Sequence, residues 1–157
     1  MLMSSKMQYG AIPPRLRLGV LVRNSSTDQF LLCMQPVCDS VRLTEQTSFP
    51  FLPLDETPSN WDLALAYSGG YHLLKLRFRI RDLFMAAFTP SADSSGVVRA
   101  ERSGDGQHWV FIANDGQESF EWVGELRDNF AQKFANRFAE SVSRVGVNES
   151  EWLRLAK

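Results

Sequence analysis

Apolar and polar residues alternate from Arg15 to Arg23, with Leu16, Leu18, Val20 and Val22 on one side of the pattern. A period of two marks a half-buried strand. Asn24 to Asp28 supplies turn chemistry, and Phe30 to Gln35 returns as a second strand, making a hairpin. Pro36 cannot donate to a ladder, so residues 37–40 should leave the sheet as a loop. The run Phe49 to Leu54 carries apolar bulk around Pro50 and Pro53, which suits an extended stretch on the edge of the core. Residues 61–67 fit helix or strand equally, and Gly69-Gly70 closes them. Residues 71–81 alternate most regularly, with Leu74, Leu76, Phe78 and Ile80 against Lys75, Arg77, Arg79 and Arg81. A short helical or irregular piece is expected over 82–88. Val97 to Arg102 and Gln107 to Ala113 flank Ser103-Gly104-Asp105-Gly106 as a second hairpin, and Asn114-Asp115-Gly116 reads as a further tight turn.

From Val123 the period changes. Val123, Leu126, Phe130, Phe134, Phe138 and Val142 recur every three or four residues, with Ala131, Ala135 and Ala139 beside them, predicting a long amphipathic helix. Gly146 should end it after Arg144, and Asn148 with Glu151 reads as the capping box of a shorter helix. The expected fold is α+β: a curved antiparallel sheet or small β-barrel packed by the C-terminal helix. Residues 1–14 form a mobile lead-in, and residues 15–157 form one domain, β-rich over 15–122 and helical over 123–157.

Composition agrees with one packed core. The chain has 157 residues, 44% of them apolar, including eleven Phe and four Trp. That apolar content excludes global disorder. A net charge of -1 argues against non-specific coating of nucleic acid or anionic membrane. Two cysteines are too few for a disulfide-stapled secreted scaffold. The N-terminal residues lack the charged start and apolar core of a secretory signal, and no apolar run reaches the roughly 20 residues of a membrane span. These absences together predict a cytoplasmic protein.

Three features carry candidate chemistry. The first is the loop Gln35-Pro36-Val37-Cys38-Asp39-Ser40-Val41-Arg42. As a functional loop, Asp39 would act as base or orient a partner, Arg42 would bind phosphate or carboxylate, and Cys38 beside a guanidinium would be a reactive thiol. The structural alternative buries Cys38, caps the loop with Asp39 and pairs Asp39 with Arg42. The second feature is the basic row Lys75, Arg77, Arg79 and Arg81, joined by Arg15, Arg17 and Arg23 if the two strands are neighbours. Such a face receives RNA or an acidic surface, although cations on the wet side of a sheet are ordinary. The third is Ser143 to Arg154, either a helix stop with Trp152 packed on the core or a docking tail. His72 and His108 lie in no metal motif, and Cys33 with Cys38 cannot complete a zinc site. No phosphate loop, dinucleotide fingerprint or G-x-S-x-G elbow is present, so neither cofactor nor metal is expected.

The stretches Leu31 to Leu54 and Ser143 to Arg154 resemble the C-terminal part of uncharacterised bacterial proteins that often begin with a divergent response-receiver domain. Those proteins tend to be encoded beside histidine-kinase-like ATPases, and some of the neighbourhoods look like anti-phage defence operons. The resemblance implies a non-catalytic adaptor or output module of a bacterial signalling or defence system with a protein partner. This chain has no receiver half, so no phosphotransfer is carried over. The Cys38-Asp39 loop is also similar to loops of small PemK- and MazF-like barrels. That likeness implies an endoribonuclease in which Arg42, Asp39 and Ser40 serve phosphodiester cleavage while Lys75, Arg77 and Arg79 hold RNA. Candidate binding residues are thus Gln35, Cys38, Asp39, Arg42, Lys75, Arg77 and Arg79.

Overall fold

A computed structural model describes residues 12–92 and 96–155, with side chains to Ser143. The expected lead-in lies outside the described residues up to residue 11, and Pro14 is already tied down, its carbonyl accepting from Ala100 N at 2.9 Å. The elements are β1 (Val20–Asn24), β2 (Phe30–Cys33), β3 (Thr47–Glu56), β4 (Leu63–Tyr67), β5 (Gly70–Leu76), β6 (Phe84–Phe88), β7 (Glu101–Arg102), β8 (Trp109–Ala113), β9 (Glu118–Glu125) and α1 (Asp128–Leu155). The strands form one antiparallel sheet in the order β4-β5-β3-β2-β1-β9-β8-β7, with β6 also on β3. The architecture is α+β with a curved, open sheet; it does not close into a barrel.

The first strand begins later than its alternation implies. Gly19, at φ +96°, turns the chain between Leu18 and Val20, and a Cβ there would meet the Ala131 side chain at 3.0 Å. The segment before the turn therefore takes its own partner: Leu16 N donates to Val98 O at 2.8 Å and Arg15 bridges Arg99. The β1–β2 turn is held by Asn24 Oδ1, which accepts Ser26 N at 2.9 Å.

Residues 47–56, expected at the core edge, are the central strand. Two prolines are tolerated there because their missing donors fall where neighbouring strands end. In an antiparallel ladder a residue directs its N–H and C=O to the same neighbour. Pro50 O accepts Met34 N at 2.8 Å, just past the end of β2, and Pro53 O accepts Arg77 N at 3.0 Å, where β5 leaves the sheet. Neither proline can return a bond, and neither neighbouring strand continues. The strand expected over 71–81 thus stops at Leu76, and Ile80 is half exposed in a helical turn, Ile80–Asp82. The chain then rejoins the same edge of β3 as β6, pairing Phe84 with Phe51. Residues 84–88, expected to be helical or irregular, are a strand because Phe84, Ala86 and Phe88 alternate into the core. Residues 63–67 are likewise a strand, β4.

The central strands are buried on both faces. Val20, Val22, Leu31, Phe49, Phe51, Phe88, Phe111, Phe120 and Trp122 fill the concave side. Leu21, Leu32, Leu52, Leu54, Leu63, Leu74 and Val123 face α1 through Leu126, Ala131 and Phe134. Burial on two sides explains the unbroken apolar runs Phe30–Cys33 and Phe51–Leu54. Ser141 Oγ donates to Phe78 O at 2.8 Å, fixing the helix over the excursion between β5 and β6, and Arg137 pairs with Asp62, just before β4, at 3.2 Å.

Two helix boundaries differ from the periodicity. Val123 lies in β9 and Leu126 precedes the helix, although both pack on the face that their spacing implied. The helix also continues through Gly146, since glycine inside a helix costs only about 1 kcal/mol and does not compel a stop. The expected packing of Trp152 falls outside the described side chains.

Candidate functional site

The loop after β2 is ordered by its own backbone. Residues Val37–Asp39 make one helical turn, with Asp39 N on Pro36 O at 3.0 Å and Ser40 N on Val37 O at 3.2 Å. Gln35 Nε2 donates to Asp39 O at 2.9 Å. Ser40 is buried and its hydroxyl donates to Val37 O at 2.8 Å, so it anchors the turn and offers no free nucleophile. Arg42 sits at φ +58° with Gly96 packed directly on its backbone, and Leu43 N donates to Gly96 O at 2.9 Å. Cys38, Asp39 and Arg42 are exposed. Among the described residues no ion pair joins Asp39 to Arg42, and Cys38 does not fill an apolar pocket. The structural reading of these three side chains is therefore incorrect; burial falls to Ser40, whose hydroxyl satisfies the turn.

The basic row is split. Lys75, Arg79 and Arg81 are exposed, whereas Arg77 clamps Asp55, with Nε to Oδ2 at 2.5 Å and Nη2 to Oδ1 at 2.7 Å. That two-pronged bond holds the Asp55 carboxyl below its usual range and raises the Arg77 guanidinium. A groove of about 590 Å³ runs past these residues, but Asp55, Glu56 and Asp82 line it too and reduce its positive potential. Arg15, Arg17 and Arg23 do not join it, because β2 and β3 stand between β1 and β5. The loop and the basic row lie beyond opposite edges of β3 and toward its opposite ends, one beside Pro50 and the other beside Asp55. Asp39, Ser40 and Arg42 are thus not brought together with Lys75, Arg77 and Arg79.

The sequence reading missed a third group, centred on Glu121. Glu121 is only 7% exposed and stands directly opposite Arg23 on β1 and Val110 on β8. Tyr67 Oη donates to Glu121 Oε2 at 2.9 Å, His108 Nδ1 lies 3.0 Å from Oε1, and Arg23 Nη1 is 4.0 Å from Oε2. Arg23 also pairs with Asp28 and sits 5.5 Å over the Tyr67 ring. His72 pairs with Glu56 and packs on Phe30 and Tyr67. Burial first, and then the bond to Glu121, push the Tyr67 phenol above its ordinary range. Farther along the strands the same face is apolar and covered by α1; beyond the helix it becomes ionisable. The available signal was a charged residue inside the apolar run Phe120–Val123, which must be paired if buried. Both histidines are engaged with glutamates, and among the described residues no group of three or more His, Cys, Asp or Glu could hold a metal.

No family model, curated protein or solved structure matches this chain. Among the described residues no helix is long and apolar enough to cross a membrane.

Proposed function

We propose that the chain is a non-catalytic interaction module, an adaptor or output domain of a bacterial signalling or defence system, that docks a protein partner through residues 35–42. The observation supporting this reading is the combination of a fixed backbone with outward side chains. Ser40, Gln35 and Gly96 hold the loop, while Val37, Cys38, Asp39 and Arg42 point to solvent and carry no ion pair among the described residues. Loops placed by a rigid sheet present recognition groups at little entropic cost on binding. The endoribonuclease alternative loses support from the same geometry. General acid and base groups must converge on one phosphate, and the RNA-holding candidates lie across β3 from Asp39.

The test compares pull-downs from wild type and an Asp39→Ala/Arg42→Ala variant, identifying bound protein and bound RNA. A protein recovered by wild type and lost by the variant supports the reading. Equal recovery by both forms removes the loop from the interface, and enriched RNA with new cleavage ends replaces the module with a nuclease.

A further inference from the structure

Among the described residues the sheet has three flanks, and they are not protected alike. At the β7 end only Glu101 and Arg102 pair, and both are charged and exposed. On the outer flank of β6 a side chain takes up one donor, Asn114 Oδ1 accepting Ala87 N at 3.1 Å. Short length, charge and capping are ordinary defences of a sheet edge. At the opposite end lies β4, Leu63-Ala64-Leu65-Ala66-Tyr67, which has five residues, no charge and no proline.

The hairpin turn determines which β4 groups face outward. Ser68 and Gly69 sit at φ +52° and +79°, the two positive values of a two-residue turn closed by Tyr67 and Gly70. Those two residues form a mutually bonded pair, so bonding to β5 alternates back through Leu65 with His72 and Leu63 with Leu74. Ala64 and Ala66 therefore turn their N–H and C=O away from β5. No backbone partner meets them among the described residues. Such a row is completed by another extended strand, because only a strand repeats donors and acceptors at that spacing.

We infer that β4 is a self-pairing edge, joined antiparallel to β4 of a second copy about a two-fold axis through Leu65. In that register Ala64 of one copy faces Ala66 of the other, and both outward residues find mutually bonded partners. An uncharged strand meets its own image without like-charge repulsion. The alanines let the backbones approach. Tyr71, 74% exposed, and Leu73 stand opposite Ala66 and Ala64 on the same face, so rows of Tyr71, Ala66, Ala64 and Leu73 run across the joint. This inference is independent of the 35–42 loop, which none of the variants below alters.

The full chain, Ala66→Pro and Ala64→Lys would be followed by sedimentation velocity over a concentration series, with circular dichroism to report folding. Ala66→Pro removes an outward N–H that β5 does not use, and Ala64→Lys is the charge that protects natural edges. The expected result is a wild-type dimer and self-association at least about tenfold weaker in both variants, from the lost hydrogen bonds. If the proline variant misfolds, the lysine variant decides. A wild type monomeric at every concentration overturns the inference, even if another protein's strand occupies the edge. A dimer that survives both substitutions overturns it as well.

Discussion

Tyr67 donates its phenolic proton to Glu121 across 2.9 Å, tying the end of β4 to the middle of β9. The two residues are 54 positions apart, and the bond is made where the face that α1 covers farther along the strands runs out beyond the helix. Glu121 is buried among Tyr67, His108 and Arg23, each of which compensates its charge. A buried carboxylate that accepts a hydrogen bond and has an imidazole and a guanidinium beside it is tolerated where an isolated one would not be.

This arrangement makes alkaline stability depend on Tyr67. Its native value lies above the ordinary 10, so between that value and the native one the folded state holds a proton that the unfolded state has released. Stability contributed by Tyr67 is therefore complete below pH 10 and is lost as pH rises through the native value. In Glu121→Gln the phenol should titrate lower, though still above 10, because burial is the larger cause. Ultraviolet titration of the phenolate, with Tyr67→Phe to assign the signal, checks this; an unchanged midpoint in the glutamine variant would exclude the coupling.

Gly96 controls the shape of the 35–42 loop from a distance in sequence. An added Cβ would lie 2.6 Å from Leu43 N and 2.8 Å from the Arg42 backbone, at φ +75°. Gly96→Ala is expected to destabilise the fold by more than about 1 kcal/mol. Asp39→Ala and Arg42→Ala should each stay within about 0.5 kcal/mol, as exposed side chains without structural partners. Chemical denaturation of the three variants separates the scaffold from the displayed groups. An Arg42→Ala cost as large as that of Gly96→Ala would mean that the guanidinium is structural.

The two thiols should behave oppositely. Cys33 is fully buried in the concave core and its thiol is pushed up to about 12, chiefly by that burial, whereas Cys38 is exposed on the loop turn. The thiolate is the nucleophile, so a maleimide should label Cys38 in the native protein and reach Cys33 only after unfolding. Mass spectrometry of labelled peptides distinguishes them, and rapid native labelling of Cys33 would contradict the packing of β2 on β3.

Phe134 is 3% exposed and packs against Phe78 at a tilt, with ring centroids 6.2 Å apart. Phe134→Ala should cost about 3–5 kcal/mol in equilibrium unfolding, as a buried aromatic truncation. A loss below about 1 kcal/mol would show that the helix docks by another face.

Strand and helix classes could be read locally, because a half-buried element prints its period on the chain. The hairpin β1–β2, the turn at 103–106 and the helix face of Ala131, Phe134 and Phe138 follow directly from spacing and turn chemistry. Phe49 to Leu54 misled for the opposite reason. A strand buried on both sides has no alternation, and its prolines suggest an edge unless one knows that β2 and β5 end beside them.

The candidate site divides along the same line. Turn propensity alone places residues 36–40 outside the sheet, and the exposure of Cys38 and Asp39 follows from a loop with little apolar content. The contact that sets Arg42 comes from Gly96, and the grouping of Tyr67, His108 and Arg23 around Glu121 comes from strand order and register. Local periodicity records only whether a residue faces core or solvent. Which polar residues meet depends on which strands become neighbours, and that is decided when distant segments share one sheet and bury both its faces.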